Sequence, residues 1–188
     1  MDEFWVFGYG SLMWRPGFAY EDATHARLFG YRRALCVHSH VHRGTPERPG
    51  LVLGLDRGGS CLGIAFKVAR QAADEVVAYL RDRELVTHVY KERRVALQLR
   101  SGRRVGAIAY VVDRNHPQYA GALTAEEAVA KVRGAVGRSG PNEEYVINTV
   151  NHLRQMKIGD HWLEQVARGV AHSEESEAGT ARSAVSSA

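Results

Sequence analysis

The chain is poor in the residues that would brace it covalently or carry it through a membrane. Of its 188 residues only Cys36 and Cys61 are cysteine. Two thiols make no disulfide framework and no Cys-x-x-Cys pair exists, so a reducing, intracellular setting is the simpler expectation. No stretch reaches the ~20 apolar residues that a spanning helix requires. Met1-Asp2-Glu3 leads straight into a patterned strand, without the basic segment and apolar core of a secretory signal. A cytoplasmic location without a membrane partner is therefore expected. The third glycine of a dinucleotide loop, the Lys-Ser/Thr of a phosphate loop and a His-Glu-x-x-His helix are all missing.

The charge is mildly one-sided, with a net charge of +4 and a pI of about 9.2. Its basic clusters are short: Arg32-Arg33, then Lys91, Arg93 and Arg94 interleaved with Glu92 and apolar residues. Nucleic-acid binding needs a basic stripe on a recognisable module, so no nucleic-acid partner is expected. Apolar residues make up 45% of the chain, enough for a real core.

Phe4 to Tyr9 is aromatic and β-branched and predicts a strand. Residues 28–42 continue in extended character, and Arg43 to Gly50 is rich in breakers. Leu51 to Leu55 and Cys61 to Val68 predict two strands, with Asp56-Arg57-Gly58-Gly59 as a hairpin turn between them. Helical spacing takes over at residues 71–83, where Val76, Val77 and Leu80 share a face. Strand-like alternation returns at Val86 to Leu99 and at Val105 to Val112. Thr124 with Glu127 forms a capping-box pattern. Pro141 suits a first helical turn, with a helix to about Met156, and Asp160 suits the cap of a last helix. The order is strands first and helices last, with no internal repeat. It predicts an α+β fold: a small mixed or antiparallel β-barrel with flanking helices. Residues 1–172 are expected to form a single domain and 173–188, rich in Ser, Ala and Glu, a disordered tail.

Gly8-Tyr9-Gly10-Ser11 follows the first strand directly. Its glycines permit a sharp turn and a close approach of ligand to backbone N–H groups, and Ser11 adds a hydroxyl. Successive N–H groups suit an anion or a developing oxyanion.

Four segments then carry a resemblance. They are Phe7 to Phe18, His42 to Leu51, Tyr79 to Glu84, and Gly140 to Tyr145 continuing through Asn148 to Leu153. In this order and spacing the chain resembles the ChaC-type gamma-glutamylcyclotransferase family over roughly residues 4–170. The resemblance implies a cyclotransferase barrel fold. It also implies an enzyme that cleaves glutathione to 5-oxoproline and cysteinylglycine by intramolecular attack of the substrate α-amine. It gives Glu84 the general acid/base role. Gly8, Tyr9, Gly10, Ser11, Leu12, Met13 and Tyr145 become substrate-binding residues, with no metal and no cofactor. Family members often carry glycines soon after the Arg-Glu pair, where this chain has Leu85-Val86-Thr87-His88-Val89-Tyr90. The alternatives are a cyclotransferase for other gamma-glutamyl amines or amino acids, or a non-catalytic regulator of a transporter.

Local chemistry is consistent with the role of Glu84. At the end of a helix its carboxylate meets the negative end of the dipole, which raises its pKa. Arg81 and Arg83 oppose that shift if they point toward it. Tyr145, Asn148 and His152 would share a polar helical stripe. His38, His40 and His42 alternate and would share a strand face, a metal-site pattern with no supporting cysteine pair. Both cysteines lie in strand-like runs, where a buried inert thiol is the default.

Overall fold

A computed structural model of the chain describes residues 3–171. The expected tail falls outside the described residues. Five strands, β1 (Phe4–Gly8), β2 (Asp22–Ser39), β3 (Gly50–Val68), β4 (Tyr90–Leu99) and β5 (Arg104–Val112), close into a barrel in the order β1-β3-β2-β4-β5. The sheet is mixed. β1 runs antiparallel to β3, with Val6 opposite Phe66, and β4 runs antiparallel to β5. A parallel pairing of Val6 with Ile108 closes the ring. The closing strand is the most apolar, with Trp5, Val6 and Phe7 buried, as closure on both edges demands. No helix among the described residues is long and apolar enough to cross a membrane.

Two compact units emerge. The first holds the stretch ending at Val37 together with Leu53–Gly121, and the second holds His38–Val52 and the chain from Ala122. The first carries α1 (Ala73–Glu84), whose buried Ala73, Val76 and Leu80 recur at helical spacing. The second carries α2 (Ala125–Val132), α3 (Asn142–Gln155) and helical residues 161–171. Thr124 and Glu127 exchange both capping-box hydrogen bonds at 3.2 and 2.8 Å, and Asp160 accepts from Leu163 N–H at 3.1 Å.

Two local expectations fail in the first unit. The segment Asp56 to Gly59 does not reverse the chain, because β3 is one strand from Gly50 to Val68. Gly58 and Gly59 bend it at φ +106° and +67°, a conformation open to glycine. Asp56, read as a turn residue, is wholly buried. It accepts from Arg114 Nε at 2.7 Å, Arg57 N–H at 2.9 Å, the Tyr119 hydroxyl at 3.2 Å and Arg32 at 3.4 Å. These partners outweigh the cost of burial and hold its carboxyl below the usual range. The second failure is at Val86, where no strand begins. Leu85 to His88 closes a turn through His88 N–H to Leu85 O at 3.1 Å, and β4 starts at Tyr90.

α3 ends in a Schellman arrangement with the wrong residue for it. Ile158 N–H reaches Leu153 O at 2.9 Å and Lys157 N–H reaches Arg154 O at 2.9 Å, with Ile158 and Leu153 both buried. The residue that must turn left-handed is Lys157, at φ +57°, and that conformation costs a side-chain-bearing residue ~1 kcal/mol. Lys157→Gly is expected to raise stability by about 1 kcal/mol in urea denaturation, with an unchanged m-value.

Candidate active site

The glycine loop leaves β1 at Gly8 and folds at once into a 3-10 turn, Ser11–Met13, whose first bond is Met13 N–H to Gly10 O at 2.9 Å. The leading N–H groups, those of Ser11 and Leu12, precede that bond. The turn is pinned from below by Leu12 and Met13, both buried, while Ser11 is exposed. Gly8 is crowded: a Cβ there would stand 3.2 Å from the Phe66 ring and 3.3 Å from both Leu12 and Met13, so those side chains would have to give way. Gly10 is freer, its virtual Cβ meeting only Leu53 at 3.4 Å.

Arg33 supports this loop from β2. Only 6% exposed, it donates from Nε to Tyr9 O at 2.6 Å and from Nη2 to Leu62 O at 2.7 Å. The sequence showed it only as half of a basic pair. Its one signal was a charge embedded in an apolar extended run, which demands a buried partner.

Glu84 is the last residue of α1, as its place in the sequence implied. Its side chain is 18% exposed. Burial pushes its carboxyl above the ordinary glutamate value, and the charge of Arg83 opposes that push. Arg81 does not take part, because its guanidinium forks onto Glu92 with two bonds of 2.8 Å. Glu92 in turn accepts from the buried Tyr110 hydroxyl at 3.2 Å. The Tyr110 phenol is raised by its burial, then by Glu92, with Glu84 adding a smaller push.

Arg83 joins the two halves of the site. Its Nε lies 3.2 Å from Glu84 Oε1. Its other nitrogens donate to Ser11 Oγ at 3.0 Å, Arg15 O at 2.6 Å, Pro16 O at 3.3 Å and the Tyr79 hydroxyl at 3.0 Å. Gly17, at φ +75°, lets the Tyr79 hydroxyl approach where any Cβ would collide. One guanidinium therefore holds the Glu84 carboxylate and the glycine loop in a common frame. No local pattern marks Arg83 for this, because its partners on the loop lie 67 to 72 residues away.

The remaining motifs belong to the second unit. Asn142 is fully buried, accepts from Leu51 N–H at 2.6 Å and donates to Leu51 O at 2.8 Å. The Gly140-Pro141-Asn142 segment thus clamps the start of β3 to the start of α3. Arg43 lies over the Tyr145 ring, 5.4 Å from its centroid, and donates to Pro141 O at 3.2 Å. Tyr145 is half-buried on α3, His152 is half-buried and Asn148 is exposed.

The three alternating histidines do not share a strand. β2 ends at Ser39, the His38 and His40 rings stack at 6.2 Å, and His42 Nδ1 lies 3.1 Å from Ser139 Oγ. Among the described residues no group of three His, Cys, Asp or Glu side chains is arranged to hold a metal. Both cysteines are buried, and burial with the nearby Asp56 charge pushes the Cys36 thiol up to about 12. A thiol held protonated is a poor nucleophile.

The family described as ChaC-like protein matches residues 4–173. The chain belongs to the ChaC-like family. This ChaC-like chain is 32% identical over 159 residues to the glutathione-specific gamma-glutamylcyclotransferase of Escherichia coli (strain K12), covering 85% of this chain and 69% of that protein. It is 34% identical over 154 residues to glutathione-specific gamma-glutamylcyclotransferase 1 of Mus musculus, covering 80% and 69%. A crystal structure of a yeast gamma-glutamylcyclotransferase specific to glutathione matches with a TM-score of 0.79 at 24% identity, covering 92% of this chain and 99% of that one. That likeness establishes a shared fold. The expected small mixed barrel with flanking helices is the ChaC-like architecture found here.

Proposed function

We propose that this chain is a gamma-glutamylcyclotransferase that cleaves glutathione to 5-oxoproline and cysteinylglycine. The observation that carries the reading is the Arg83 junction, which sets a half-buried Glu84, its carboxyl raised by burial, against the glycine loop that follows β1. The names of the curated relatives support glutathione as the substrate.

In this mechanism the substrate's α-amine attacks its own γ-carbonyl carbon, so no protein nucleophile is required. A C–N bond forms to close the five-membered ring. Glu84 takes the proton that the amine gives up, and the carbonyl oxygen becomes an oxyanion. The Ser11 and Leu12 N–H groups are the donors for that oxyanion. The intermediate collapses as Glu84 returns the proton to the departing amide nitrogen, and the old C–N bond breaks. The loop also holds the gamma-glutamyl chain bent, and this positioning lowers the barrier further. Tyr145 is kept in the proposal as a substrate-binding residue on the strength of the resemblance alone.

The test is to incubate purified protein with glutathione and, separately, with gamma-glutamylalanine, and to quantify 5-oxoproline. Release from glutathione at a rate well above that from gamma-glutamylalanine is expected. The opposite preference would move the substrate to another gamma-glutamyl compound. No product from either would remove the catalytic reading.

The loop's contribution is expected to come from backbone and space. Gly10→Val adds branched carbons at the residue that opens the 3-10 turn, where a Cβ already meets Leu53 at 3.4 Å. It should lower kcat/KM about a hundredfold, the effect of losing one oxyanion donor. Ser11→Ala should cost less than about tenfold, since it removes a single acceptor of Arg83. The reverse ranking, read from steady-state kinetics, would assign binding to the hydroxyl.

A further inference from the structure

Four arginines from three chain segments line one recess in the first unit: Arg70 after β3, Arg94 on β4, and Arg103 and Arg104 where β5 begins. The recess has a volume of about 710 Å³, within the range of small-molecule sites. Its single acid, Glu3, is already engaged by Arg103 at 2.7 Å and Lys67 at 3.6 Å, and Arg103 also lies over the Trp5 ring. Arg70, Arg94 and Arg104 have no ion-paired carboxylate among the described residues, and Arg94 acts on Glu92 only at longer range. Three cations facing one hollow repel one another, a cost that a bound anion removes.

The rest of the lining narrows the kind of anion that fits. Gly106 lies on β5, opposite Ala96, and a Cβ built there meets nothing within 4 Å. The missing side chain leaves the strand open to close approach. Phe4 and Val105, both half-buried, and the buried Ile108 also line the recess. Guanidinium forks match the oxygen geometry of phosphate, and three of them suit about three negative charges. An apolar strip beside them suits an organic group attached to those charges.

We propose that this recess is a binding site for a small organic polyphosphate. It stands apart from the glycine loop. Phe4 begins β1 and Gly8 ends it, a separation of about 13 Å along an extended strand. The inference is independent of the cyclotransferase reading, because its test measures binding without turnover.

The test is titration calorimetry of the full chain with adenosine triphosphate, inorganic tripolyphosphate and sulfate at 150 mM salt, about physiological ionic strength. Saturable one-site binding of both polyphosphates is expected, with adenosine triphosphate the tighter and sulfate at least a hundredfold weaker. The double variant R94Q/R104Q should weaken both by at least tenfold. Gly106→Leu keeps every charge and fills open space, so it should weaken both at least tenfold while the ligand-free unfolding temperature stays the same. Release of 5-oxoproline from glutathione should persist in both variants. Absent saturation, binding unchanged in the variants, tripolyphosphate binding without adenosine triphosphate, or sulfate binding as tightly (an adventitious ion only) would each overturn the proposal.

Discussion

Glu84→Gln is expected to lower 5-oxoproline release by about a thousandfold or more, within the range for losing a positioned general acid/base. Glutamine has the same shape and its amide oxygen can still accept from Arg83, so the junction with the loop stays in place. What disappears is a group able to take and return a proton. The sign of the accompanying stability change separates a lost base from a damaged fold. Burial raises the carboxyl of Glu84 in the folded chain, so the fold holds this proton more tightly than the unfolded chain does. Its stabilising contribution is complete below the ordinary carboxylate range and is lost as pH rises through the raised value. At neutral pH the ionised Glu84 is therefore a small burden that glutamine relieves. Glu84→Gln should unfold at the same temperature as the parent or slightly higher, while turnover is gone. Near-normal turnover in this variant would sink the assignment.

Arg83→Met should produce the second largest effect, and in two separable parts. The variant keeps an apolar stem but loses bonds to Ser11, Arg15, Pro16 and Tyr79. The loop then loses its reference to Glu84, and kcat/KM should fall about a hundredfold, the expected effect of misplacing reacting groups by about an ångström. The second part is electrostatic. Arg83 is the charge that opposes the upward push of burial on Glu84. Without it the carboxyl rises further, so the acid limb of the pH–rate profile should move to higher pH. Arg83→Lys returns a charge without the planar fork. It should restore the limb while leaving most of the rate loss. A purely structural role for Arg83 would lower the rate in both variants and move the limb in neither.

The turn after Glu84 shows how far local reading extends. The missing glycines at Leu85 to Tyr90 were visible as a departure from the family pattern. The structure shows where the departure falls: His88 takes a left-handed φ of +56° in the turn between α1 and β4. The β-branched residues Val86, Thr87 and Val89 made the same stretch look like the start of an alternating strand. Val89 is buried and Val86 is largely exposed, so the alternation marks one anchor in a turn.

The capping box at Thr124, the end of α1 at Glu84 and the glycine turn after β1 were all legible in the sequence. Each is settled by residues within a few positions of one another, where spacing and hydrogen-bonding chemistry act directly. The four motifs were equally legible as a family pattern, but their physical roles were not. Asn142 proved to be a backbone clamp and Tyr145 a ring beneath Arg43. Charged side chains were the least readable class. A long, flexible side chain takes whatever partner the fold brings near, and these partners come from distant segments. Arg33 reaches back 24 residues to Tyr9, Asp56 waits for Arg114 58 residues on, and Arg83 reaches Ser11 across 72. The sequence by itself determined that Glu84 ends a helix and that a glycine loop follows the first strand, because each rests on residues close together in the chain. Only the tertiary structure decided that Arg81 turns away to Glu92 while Arg83 ties that loop to Glu84, because closure of the barrel brings those segments together.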